Sequence, residues 1–178
     1  MFDDRDMKIV EGSPSKSVKY NLSHSEEVLS VEEISSAKKL GEKIADKFLE
    51  SVDTVFADDN TDSIMMLQRQ LLLSFTVSIT LDDYCKNDSI AGIAEKSFLD
   101  KLKVLSPQIY DTCSDTGAFS FYYLAVRRKT EVERRIGQTF AMLCSHDSDP
   151  IYQELGETLY CWFMSVVKDE INSFSLLK

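Results

Sequence analysis

Five of the twenty basic residues of this acidic chain, Arg127, Arg128, Lys129, Arg134 and Arg135, fall within nine positions. A guanidinium offers a planar fork of donors that matches phosphate, sulfate or carboxylate, so Arg127, Arg128, Arg134 and Arg135 form the candidate anion-binding set. The same residues also suit a purely structural role. Cations at 127–129 favour the carbonyl end of a helix, and Glu131 and Arg135 stand four apart on the next helix, where they would pair. The structural role is the expectation, and a small anion is the ligand to test against it.

Other constellations give less. Cys144 and His146 could make a thiolate–imidazolium pair, but two positions along a helix turn a side chain by about 200°, which separates them. Asp58, Asn60 and Asp62 open like a calcium loop, yet Ser63 stands where that loop needs Gly and Arg69 where it needs a bidentate carboxylate. Capping is the expected role of that segment. Asp82 and Asp83 follow an apolar run and are expected on the surface. Zinc would require three or four convergent ligands at short spacing, a di-iron bundle would require Glu-x-x-His, and neither pattern occurs. Gly-rich phosphate loops, G-x-S-x-G and H-E-x-x-H are missing too. The sequence therefore nominates no catalytic, cofactor-binding or metal-ligating residue, and no cofactor is expected.

Aromatic residues supply a second candidate surface. Twelve of the eighteen follow residue 89, with Phe119, Phe121, Tyr122 and Tyr123 close together and Tyr160, Trp162 and Phe163 likewise. Consecutive aromatics cannot all face one core. Some of Phe121, Tyr122, Tyr160 and Trp162 should therefore line a subunit contact or a pocket that takes an apolar ligand.

The elements that position these residues follow from periodicity. Ile64 to Leu81 is apolar on every side and its one charged residue is Arg69, so a helix over about 63–85 must be the core that others wrap. Ser74 to Leu81 alternates polar and apolar as a strand would, but no other segment offers it a partner, and we assign helix. Gln68, Arg69, Gln70, Ser74, Thr76, Ser78 and Thr80 interrupt the run too often for a membrane span. Ile34, Ala37, Gly41, Ile44, Phe48, Val52 and Val55 mark an amphipathic helix that begins near Ser25 or Ser30. Ile90, Ile93, Ala94, Phe98, Leu102 and Leu105 mark another, from about Ser89. Ser106-Pro107 and Asp149-Pro150 read as N-cap followed by Pro at the first helical position. A helix from near Asp115 should carry Phe119, Tyr122, Tyr123 and Val126 inward, and Thr130-Glu131-Val132-Glu133 matches a capping box ahead of Ile136 and Phe140. The last helix offers Leu155, Leu159, Trp162, Phe163 and Ile171 and ends near Phe174.

These readings give an all-α, single-domain bundle of six or seven helices over residues 26–178, after a flexible polar tail at 1–25. The chain has 178 residues, 43% of them hydrophobic and 28% charged, enough for one core without staples. A net charge of −10 argues against nucleic acid and anionic membranes as partners. Cys85, Cys113, Cys144 and Cys161 are widely spaced in or beside apolar stretches, and the N-terminus lacks the features of an export signal. Buried thiols in the cytoplasm are the expectation. The leading functional reading is a non-enzymatic interaction module, a homodimer or other self-associating protein that uses the aromatic helices after residue 115. The alternative is a small-molecule or anion-sensing bundle; a weaker one is an enzyme whose site is scattered along the chain.

Overall fold

A computed structural model of the chain describes residues 29–53, 63–114 and 116–178. The expected tail at 1–25 and the acidic segment 58–62 lie outside the described residues. Those residues form seven α-helices and one 3₁₀ turn: α1 Val31–Asp53, α2 Ser63–Tyr84, α3 Asp88–Leu105, α4 Pro107–Cys113, the turn Thr116–Phe119, α5 Ser120–Arg127, α6 Val132–Leu143 and α7 Pro150–Ser173. No strand occurs among them, and the stretch Ser74 to Leu81 is helical.

α2 is the centre of the bundle. α1, α3, α4, α6, α7 and the 3₁₀ turn all pack on it. Every residue from Leu71 to Ser78 is buried, because the helix has no polar stripe to offer water. Of its buried hydroxyls, Thr76 Oγ1 is accommodated within the helix, donating to the Leu72 carbonyl at 2.8 Å, whereas Thr80 Oγ1 has no hydrogen-bond partner among the described residues. By length and composition α2 could cross a membrane, yet 67% of its most apolar 18-residue stretch is enclosed by the other helices. Around it α1 packs on α3 and α6 on α7, and the rings of Phe48 and Phe98 meet edge to face at 5.5 Å.

Several local expectations change. Thr130 caps nothing: Glu131 takes the N-cap position of α6 with φ 48° and no side-chain capping bond. The link from α5 reverses direction through left-handed residues at Lys129 (φ 54°) and Glu131, which moves the start of α6 one residue past the capping-box register. A reciprocal box forms instead ahead of α1, where Ser30 N donates to Glu33 Oε2 and Glu33 N to Ser30 Oγ, both at 3.1 Å. The Ser30 backbone N–H and hydroxyl, both donating to that carboxylate, with Lys86 beyond them, hold the Glu33 carboxyl below its ordinary range. Asn87 caps α3 through Ile90 N, while Ser106 precedes Pro107 without a side-chain cap. Leu105, expected inward, is 55% exposed; Tyr123 is 43% exposed although its ring meets Phe75 edge to face at 5.1 Å, and Trp162, named both for burial and for a contact surface, is 45% exposed. Cys161 is exposed; the other three cysteines are buried. The C-terminal residues return to the end of α2, with Lys86 N donating to the Leu176 carbonyl and Lys178 N to that of Tyr84, both at 2.9 Å.

Candidate interaction site

α5 is eight residues long and α6 folds back from it across a four-residue reversal. Phe121, Leu124 and Arg128 recur at steps of three and four on one side of α5. Arg135, Gln138 and Met142 do the same on α6. These two rows, with Asp147, Ser148 and Gln153 from the entry to α7, line a cleft of about 520 Å³. Phe121 is 51% exposed, Leu124 60% and Met142 43%, so apolar side chains stand in the open between two arginines.

The anion candidates therefore divide. Arg128 and Arg135 reach the cleft; Arg127 and Arg134 are not among its lining residues. Arg134 instead pairs with Glu131 at 3.3 Å, both side chains well exposed. The expected Glu131–Arg135 pair does not form, because the left-handed backbone at Glu131 turns its side chain to Arg134, and Arg135 Nε donates to the Thr130 carbonyl at 3.0 Å.

The aromatic candidates divide as well. Phe121 and Trp162 are surface groups, but Tyr122 and Tyr160 belong to the core, at 0% and 3% exposure. Tyr122 stacks on Phe75 with ring centroids 5.4 Å apart, and burial pushes its phenol far above the ordinary range. Burial pushes the Tyr160 phenol up to about 12. The buried Tyr122 hydroxyl has no hydrogen-bond partner among the described residues. Trp162 borders two further cavities between α2 and α7, with Arg69 at the wall they share.

The remaining candidates do not assemble into catalytic machinery. α6 has ended by Ser145 (φ 61°), Cys144 is buried, and the His146 ring lies flat on Tyr152 with centroids 3.8 Å apart. Burial pushes the thiols of Cys85 and Cys113 each up to about 11, which keeps them protonated and poorly nucleophilic at neutral pH. Asp82 and Asp83 are exposed. Partial burial, then the carboxylates of Glu95, Asp83 and Asp88, raise the Asp82 carboxyl. No group of three His, Cys, Asp or Glu side chains that could hold a metal ion is found among the described residues.

Sequence reasoning named Arg128, Arg135 and Phe121 but kept cations and aromatics apart, and it missed Leu124 and Met142. The common spacing of 121, 124 and 128 was the available signal. No protein-family model matches this chain, no curated protein matches its sequence, and no solved structure matches its fold.

Proposed function

We propose that this chain is a non-enzymatic interaction module whose α5–α6 cleft receives an acidic segment of a protein partner, anchored by an apolar side chain. The observation that carries this reading is the convergence of Arg128 and Arg135 with the exposed Phe121, Leu124 and Met142 in one cleft. Aromatic, Met and Arg side chains are the types enriched where proteins meet. Apolar anchors would supply affinity by leaving water, while the two guanidinium groups select carboxylates and speed encounter. The two arginines disfavour a two-fold pairing of this face with itself. A two-fold homodimer formed through this face would set the arginines of one copy close to those of the other, an unfavourable pairing in a shared interface. The thiol state of all four cysteines suits the reducing cytoplasm as the place where it acts.

A labelled Glu/Asp-rich peptide with a central Phe-Leu pair provides the test, read by fluorescence anisotropy alongside light scattering of the protein alone. The expected result is a monomer that binds the peptide saturably, more weakly as salt rises, with Phe121→Ser and Arg128→Gln each costing about tenfold, or about 1.4 kcal/mol. A stable dimer that Phe121→Ser dissociates, with no peptide binding, would replace the acidic partner by a second copy. Peptide binding untouched by both substitutions would remove the cleft from the account.

A further inference from the structure

The cavities beside Trp162 lie outside the α5–α6 cleft and share no residue with it. The smaller, about 300 Å³, is walled by Met65, Phe140, Leu155, Leu159 and Trp162, with Arg69 and Thr158 as its polar residues. That volume is at the lower end of small-molecule sites, which are mostly apolar with a few polar groups. Leu155, Leu159 and Trp162 follow one face of α7, and Phe140 is seated in the notch that Gly156 leaves, where a Cβ would come within 2.6 Å of it. Arg69 is held at the far wall by the bond from its Nη2 to the Ser51 carbonyl, 2.7 Å.

The surrounding charges select the kind of ligand. Beyond Arg69 the second cavity, about 510 Å³, presents Lys47 along with Glu50, Asp169 and Glu170. Glu50 is paired with Lys47 at 3.2 Å and Glu170 with Lys43 at 2.7 Å. These carboxylates and their lysines belong to the second cavity, and the one charged side chain on the smaller cavity's wall, Arg69, is engaged by the Ser51 carbonyl. Apart from that guanidinium and the Thr158 hydroxyl, the smaller cavity offers hydrocarbon and indole. We infer that it is a binding site for an uncharged apolar ligand, an alkyl chain or similar hydrocarbon group inserted between α2, α6 and α7 against Trp162.

Trp162 is the one tryptophan of the chain and is 45% exposed, so its emission reports on the site. The experiment titrates the full chain with 1-decanol and follows Trp162 fluorescence and the melting temperature. Binding gives a saturable blue shift and a rise in melting temperature. Thr158→Phe, which fills the cavity from an exposed position, weakens both responses about tenfold or more without unfolding the protein. Decanoate and decyltrimethylammonium, with the same chain and either charge, bind about tenfold more weakly than the alcohol. A shift that never saturates, or an equal response in Thr158→Phe, would overturn the site. Charged analogues binding as tightly as decanol would overturn the uncharged ligand.

Discussion

Gly41 and Gly92 both lie inside helices, and alanine should act in opposite directions at the two. By propensity alone each replacement favours the helix by about 1 kcal/mol, because Gly gives up more backbone freedom on folding. At Gly92 nothing lies within 4 Å of an added Cβ, so Gly92→Ala should realise that gain. For a chain of this size it corresponds to a melting temperature about 2–4 °C higher. At Gly41 the Cβ would overlap the Ala94 carbonyl oxygen and come within 2.8 Å of Ser97 Cβ and 2.9 Å of Phe98 N. None of these atoms can rotate away, so α1 and α3 must move apart. Overpacking of this kind costs about 1–3 kcal/mol. Separation also strains the 2.9 Å bond from Ser97 Oγ to the Lys38 carbonyl, about 1 kcal/mol more, and loosens the Phe48–Phe98 contact. Less the propensity gain, Gly41→Ala should lose about 2 kcal/mol, a fall of about 4–8 °C. Calorimetric melts of both variants, checked by urea unfolding for an unchanged m-value, decide it. A Gly41→Ala protein as stable as the parent would refute the close approach of α1 to α3, and a Gly92→Ala protein less stable than the parent would refute the open space at Gly92.

Leu72→Asp should leave no soluble folded protein, because Leu72 is 0% exposed in the central helix and an uncompensated buried carboxylate costs several kcal/mol out of a typical 5–15; a soluble variant with a cooperative melt would contradict the placement of α2. Replacing Arg134 with Gln should change stability by less than about 1 kcal/mol and leave binding of the acidic peptide intact, its Glu131 pair being exposed, whereas Arg128→Gln weakens the peptide. Asp82 has a raised folded-state pKa, so the folded chain holds that proton more tightly than the unfolded one and ionisation opposes folding. Asp82→Asn should therefore add a few tenths of a kcal/mol at pH 7, screened as surface charges are, and the gain should vanish below about pH 4, which melts across that range would show.

What the sequence made legible depended on how locally each feature is determined. α2 could be placed over about 63–85, and is observed at Ser63–Tyr84, because a segment without a polar face has one place to go. Asp149-Pro150 located the start of α7 because the cap is a contact across two residues, Asp149 Oδ1 accepting from Ile151 N at 2.9 Å. Thr130-x-x-Glu133 has the same local form and fails, since the tertiary demand for a tight reversal overrides it with left-handed residues at Lys129 and Glu131. Contacts made at a distance left no local trace: the return of Leu176 and Leu177 to α2, or the seating of Phe140 against Gly156.

The candidate site shows the same division, and α5 explains it. Its sequence, Ser120–Arg127, is apolar almost all round, which by itself reads as a buried helix. At eight residues it has room for one inward face, and Tyr122 and Ala125 are the two residues buried on it, beneath α6 and the 3₁₀ turn. Phe121 and Leu124 must then project outward whatever their hydrophobicity, while Tyr123 lies at the border, its ring edge against Phe75. The reversal that follows must place Arg128 at the end of α5 and Arg135 one turn into α6, at the rim of that same outward face. The mixed apolar and basic character of the cleft thus results from a helix too short to bury all of its apolar residues followed by a tight turn rich in cations. An acidic, apolar-anchored partner would complete the burial that α5 cannot achieve within its own chain.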